Sequence, residues 1–226
     1  VLPTLAHNLL GTVNLMGALA GSRCQRSVRV TSSETPRPGQ SPNSPYAAST
    51  QAMALYAEMY HALFGLPVVI ARPHMVYGPH QPPDKLITYL IKCCMEHIPP
   101  KLSSGDRVCD PTYVEDFVRA LLFMATSDNA PGLTLDVGTG RGVPVAEIAV
   151  LVLRLMNADL TPVFGAIPDR LSDAPQVANI RQTEAVLAWK PAWSLEAGLS
   201  ATIDWFQDQR IKDLGHTQQA PREVSK

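Results

Sequence analysis

The sequence predicts an α/β fold with parallel crossovers. Three observations carry that prediction. Residues 1 to 72 read in the order helix, strand, helix, strand. The run "PVVIAR" (67 to 72) is short and continuously apolar, as a parallel strand buried on both faces must be. Gly and Pro punctuate the chain at the ends of these segments, where helices stop and turns begin.

The elements follow in order. Residues 3 to 20 place Leu5, Leu9, Val13, Met16 and Leu19 at helical spacing, and Gly21 supplies the stop. "SVRVTSS" (27 to 33) is rich in β-branched residues and ends in small polar ones. A polar loop, "ETPRPGQSPNSP", leads to a helix from Tyr46 to about Phe64, preceded by Pro45 and stopped by Gly65 and Pro67. After the strand at 67 to 72 and the segment "RPHMVYGPHQPPD", a helix is predicted over 85 to 97. "RVCDPTYV" (107 to 114) reads as extended, "EDFVRALLFMAT" (115 to 126) as an amphipathic helix, and "GLTLDVG" as a strand. "VPVAEIAVLVLRLM" reads as a helix, "TPVFG" as a short strand, and 182–188 and 195–209 as the last helices. The tail from Ile211 to Lys226 is polar and is expected to be flexible.

Composition narrows the function classes. The chain has 226 residues, 46% of them hydrophobic and 17% charged, which suits a globular protein with a sizeable core. A net charge of -1 and the lack of a Lys/Arg cluster argue against a nucleic-acid partner. No apolar run reaches the roughly 18 residues that a bilayer span requires, so no membrane partner is expected. The four cysteines, Cys24, Cys93, Cys94 and Cys109, have neither metal-ligand spacing nor a disulfide framework; free thiols fit a reducing, cytoplasmic location. The chain opens without Met on an apolar helix, which leads to the expectation of a fragment or of a product lacking its start.

Seven ordered motifs then carry a resemblance: "HNLLGTVNLMGAL", "VTSSE", "SPYAAS", "ARPHMVYGP", "DPTYVEDFVRALL", "LDVGTGRGVPVAEIA" and "LAWKPAWSLEAGLSATIDWF". Together, from Asn8 to Phe206, they resemble the extended short-chain dehydrogenases, the NAD-dependent group that epimerises or dehydrates nucleotide sugars. The resemblance implies part of a Rossmann-type parallel sheet and a smaller C-terminal α/β substrate domain. Its implied layout is the C-terminal part of an NAD-binding domain over 1–80, a mainly substrate-binding domain with returning segments over 81–210, and a flexible tail over 211–226. It implies NAD or NADP as cofactor and a nucleotide sugar as substrate. It also implies a homodimer through the helices at 3–20 and 46–64.

The same resemblance implies the site. Tyr46 is the general base and also a cofactor contact, Ser32 the hydroxyl that orients the sugar oxygen, with Ser33 its rival and a substrate contact. Glu34 is a further acid/base group. Pro73 and His74 face the cofactor, and Met75 and Arg170 face the substrate. Several positions depart from the family pattern. The family has a lysine four residues after its tyrosine, and this chain has Thr50. A tyrosine phenol of ordinary pKa near 10 is about 0.1% ionised at pH 7. A cation one helical turn away favours the phenolate, and a lowering of about 3 units corresponds to about 4 kcal/mol. Thr50 carries no charge, so the chain is expected to be an impaired enzyme or an inactive scaffold of the same fold. Met75 replaces the family's asparagine, and Cys109 replaces an arginine that reaches the diphosphate. Eleven residues separate Glu34 from Tyr46, a shortened loop. The glycine-rich phosphate cradle, G-x-x-G-x-x-G, is not in this sequence. The one Gly-rich strand-to-helix turn, "LDVGTGRG" (135 to 142), also resembles the nucleotide loop of S-adenosylmethionine methyltransferases, a remote alternative.

Overall fold

The structure is a computed structural model, and it describes residues 1–37, 39–169 and 175–218. The chain divides into two compact units. The first comprises Val1–Val76, Asp106–Val145 and Asp169–Ala192; the second comprises Tyr77–Gly105, Ala146–Pro168 and Trp193–Lys226.

The first unit is built on a parallel sheet of three strands. Strands β1 (Ser27–Val30), β2 (Val68–Pro73) and, later in the chain, Thr134–Val137 lie side by side with β2 in the centre. Val28 pairs with Val69 and Ala71 with Leu135. The central position explains the continuous apolar run. Val68 and Ile70 face one side, against Met16, Ala54, Ala57 and Leu66. Val69 and Ala71 face the other, against Ala120, Met124, Leu135 and Trp189. A strand covered on both faces cannot alternate, and each fully buried Val or Ile contributes about 1.5–3 kcal/mol.

Helices cover both faces. The N-terminal helical segment runs through α1 (Leu2–Thr4), a wider π turn (Leu5–Leu10) and α2 (Gly11–Ala20). A single regular α-helix over 3–20 was the expectation; the π turn re-phases it, so that Thr12 and Met16 are its buried residues. Helix α3 (Pro45–Phe64) lies beside it, with Asn8 Nδ2 donating to Ser49 Oγ at 2.9 Å. Ser44 caps α3 by accepting the Ala47 N–H, Pro45 occupies its first turn, and Gly65 ends it at φ 65°.

Past β3 (Val76–Tyr77), helix α4 (Leu86–Glu96) belongs to the second unit. The segment expected as extended at 107–114 holds two short strands, β4 (Val108–Cys109) and β5 (Thr112–Tyr113). They lead into α5 (Val114–Thr126), and then come β6 (Thr134–Val137) and β7 (Val143–Pro144), the latter antiparallel to β4. Helices α6 (Val145–Leu155), α7 (Arg181–Leu187) and α8 (Leu195–Gln218) complete the chain. In the second unit Ile87, Leu90, Ile91, Ile148, Val152, Leu199 and Ile203 are buried.

Two expectations change. "TPVFG" is reduced to one bridge, Lys101 with Val163, because Pro162 has no N–H to give a ladder and Gly165 turns the chain at φ 72°. The last helix runs to Gln218, beyond the expected end at 209; nothing between those residues is a proline, and the next one is Pro221. The cysteines are free, and among the described residues no helix is long and apolar enough to cross a membrane.

Candidate active site

The carboxyl ends of the parallel strands, where ligands of open α/β sheets bind, hold a cleft of about 400 Å³. It lies within the first unit. The loop after β1 contributes Ser33, Glu34, Arg37 and Asn43, the end of β2 contributes His74, and a returning segment contributes Gln176. The lining is mostly hydroxyl, amide and charge, which suits a ligand rich in hydrogen-bonding groups.

The β1 loop is held on the sheet by Thr31, whose N–H and hydroxyl both donate to the Ala71 carbonyl. Ser32 then folds into a turn: its Oγ accepts the Glu34 N–H at 3.1 Å and its N–H donates to Thr35 Oγ1 at 3.2 Å. Ser33, rather than Ser32, lines the cleft, and its hydroxyl donates to Gln176 Oε1 at 2.7 Å.

Thr50 is buried. Thr35 Oγ1 donates to Thr50 Oγ1 at 3.0 Å, and Thr50 Oγ1 donates in turn to the carbonyls of Tyr46 and Ala47, each at 3.1 Å. The position where the family carries a cation is therefore a closed chain of neutral hydroxyl bonds. Tyr46, on the first turn of α3, is 42% exposed and stands outside the set of residues that line the cleft.

Arg37 of the cleft lining belongs to a charge cluster that sequence reasoning missed. Asp136 on β6 accepts from Arg37 Nη2 at 2.6 Å, Arg72 Nη1 at 3.2 Å and the Asn179 N–H at 2.9 Å. Burial alone would raise its pKa, but the Asn179 N–H and the Arg37 guanidinium outweigh burial and hold the carboxyl below the ordinary range. The pKa of His74, nearly fully buried, is also lowered, which favours its neutral form. Burial lowers its pKa, and the nearby Asp136 and Asp110 carboxylates offset only part of that. Arg37 sits in a Pro-rich loop and Asp136 in an apolar strand, and neither has a sequence pattern that joins them. The only local sign was a charge inside "LTLDVG".

The remaining positions fall as follows. Pro73 ends β2 beside Val137. Met75 has a left-handed backbone, φ 26°, and its carbonyl accepts the Thr112 N–H. That conformation suits Asn or Gly and is strained for Met, a physical reason for the asparagine of the family pattern. Cys109 is buried, with its thiol donating to the Val143 carbonyl and its pKa raised by burial. Arg170 lies outside the described residues.

The Gly-rich turn at 138–142 is no nucleotide cradle. Its Thr139 and Gly140 N–H groups both donate to the fully buried Asp110, which also takes the Ala178 N–H. A Cβ on Gly138 would collide with Asp110 and Ala178. The glycine serves packing, and the methyltransferase alternative loses its motif. Asp116 likewise accepts the Ala192 N–H and is structural.

The comparisons with known proteins bear on the family and the fold. The chain is 32% identical over 170 residues to a dTDP-glucose 4,6-dehydratase of Streptomyces griseus, covering 75% of this chain and 52% of that protein. It is 26% identical over 224 residues to a human dTDP-D-glucose 4,6-dehydratase, covering 89% of this chain and 62% of that protein. The chain thus spans about half the length of several of the relatives that it matches. Among solved structures, an epimerase of Methanothermobacter thermautotrophicus is similar with a TM-score of 0.84 at 25% identity, over 93% of this chain and 68% of that one. A UDP-glucose 4-epimerase of Thermotoga maritima shares the fold at TM-score 0.84 and 23% identity, over 91% of this chain and 71% of that one. The profile of the NAD dependent epimerase/dehydratase family matches residues 2–138, more than half of the chain. The chain belongs to the NAD dependent epimerase/dehydratase family.

Proposed function

We propose that this chain supplies the sugar-binding cleft of an epimerase/dehydratase-type enzyme that acts on a nucleotide sugar through a transient keto sugar, and that proton abstraction by it is impaired. One observation carries the second half. Thr50, at the cation position, is sealed by Thr35 and by the helix carbonyls. No cation stands at that position, one helical turn from Tyr46. The roles that the reading assigns are Tyr46 as base, Ser32 and Ser33 as hydroxyl-orienting groups and Glu34 as a second acid/base group. Met75 and Arg170 are assigned to the substrate, and Pro73 and His74 to the cofactor.

NAD or NADP is the cofactor of the reading. Thr50 does not fit the cofactor ribose, because its proton goes to the Tyr46 and Ala47 carbonyls, its oxygen accepts from Thr35, and it carries no charge. The reading pairs two copies of the chain through the helices at 3–20 and 46–64. Leu10, Leu55, Leu63 and Phe64 are exposed there by 52%, 58%, 71% and 60%. Such apolar surface is what an interface would cover.

A second reading, an inactive scaffold of the same fold, draws on the same Thr35–Thr50 bond. Calorimetric titration with UDP- and dTDP-hexoses, followed by NMR of the sugar in the presence of NAD, separates the two. The impaired enzyme binds a nucleotide sugar and converts it slowly, by orders of magnitude less than an assisted tyrosine would. Binding without any conversion supports the scaffold, and no binding of any nucleotide sugar overturns both.

A further inference from the structure

A side-chain bond crosses the cleft. Ser33 Oγ, on the loop after β1, donates to Gln176 Oε1 at 2.7 Å, and the two residues stand 143 positions apart in the chain. Both supports are held. Gln176 stands on a pinned segment. Its own N–H donates to the Val108 carbonyl, the Ala178 N–H to Asp110 and the Asn179 N–H to Asp136. Ser33 lies in the turn that Ser32, Glu34 and Thr35 close after the Thr31 anchor. The bond to Gln176 therefore fixes the Ser33 hydroxyl between two held segments.

That bond decides the polarity of Ser33. A serine hydroxyl has one proton and two lone pairs. With the proton committed to Gln176, the oxygen keeps only lone pairs and meets a ligand as an acceptor. A ligand group placed there must donate. A ring hydroxyl does so; a ketone oxygen or a fluorine does not.

We propose that Gln176 is the positioning residue of this cleft, and that through Ser33 it selects a sugar hydroxyl over an acceptor-only group at one ring position. This inference rests on the proposed nucleotide-sugar function, and it adds a residue and a rule of selection to it.

The test uses the protein and a series of nucleotide sugars in which one ring hydroxyl at a time is replaced by fluorine. At the position that Ser33 faces, the wild-type protein binds the hydroxyl form about tenfold more tightly than the deoxyfluoro form, as one committed hydrogen bond predicts. Gln176→Glu keeps an acceptor for the Ser33 proton and retains that ratio. Gln176→Leu frees the proton, and Ser33→Ala removes the oxygen; in both the ratio falls to within about twofold. A general packing role would weaken all analogues alike and would not be rescued by Glu. An unchanged ratio in Gln176→Leu, or no discrimination by the wild-type protein at any position, overturns the inference and leaves the proposed function standing. Failure to bind any nucleotide sugar overturns the proposed function, and this inference with it.

Discussion

At the scale of single residues, ionisation and backbone geometry decide more than residue type. His74, in the cleft wall, and nearby Asp136 both have lowered pKa values for different reasons: burial for His74, and donated hydrogen bonds that outweigh burial for Asp136. Each group binds its proton less readily folded than unfolded. Each therefore contributes stability above its unfolded pKa and loses it as pH falls through its folded one. The expected outcome is acid destabilisation in two stages, the first below about pH 6.5 from His74 and the second below about pH 4 from Asp136. Urea midpoints measured against pH check this. His74→Gln flattens the first stage, and an unchanged profile would count against the assignment. Met75 gives a separate prediction from its φ of 26°. Met75→Asn stabilises the fold by about 1 kcal/mol, since Asn tolerates the left-handed region; a lower melting temperature in that variant would contradict the strain argument.

At the scale of elements, α3 connects the core to the site. Its inner face packs Ala54 and Ala57 against the sheet, and its first turn carries Tyr46. The start of the helix is set by Ser44, whose Oγ accepts the Ala47 N–H at 3.0 Å. Ser44→Ala is expected to cost about 1 kcal/mol of stability, measured by chemical denaturation; Ser44→Asp should retain the cap. Loss of the cap would also loosen the turn that holds Tyr46. The helices were legible because their signals are local: Pro45 and Gly65 bracket α3, and apolar residues recur at helical spacing. The π turn at Leu5–Leu10 was not legible, because Leu and Ala occur on every face of this apolar segment and the shift of phase leaves no gap in the pattern.

At the scale of the whole molecule, the exposed apolar side chains on the N-terminal helices and α3 call for a cover. The expected outcome in solution is a dimer or larger species rather than a monodisperse monomer, read by light scattering after gel filtration. Charge at the exposed positions, Leu55→Glu with Leu63→Glu, should shift the population toward monomer without unfolding the chain, because both side chains lie outside the core. A wild-type monomer at micromolar concentration would refute the self-pairing.

The sequence by itself determined the family, the order of the main helices and strands, the neutral residue at position 50 and the identity of β2 as a buried central strand. These follow from nearest-neighbour patterns: turn residues, apolar period and ordered motifs. Only the tertiary structure decided what Thr50 does, that Ser33 rather than Ser32 faces the cleft, and that Arg37, Arg72 and Asp136 form one cluster. It also decided that Gln176 reaches Ser33 across 143 positions. The physical reason is common to all four. Hydrogen bonds and ion pairs between distant segments depend on where the parallel strands bring their carboxyl ends together, and chain spacing carries no record of that meeting.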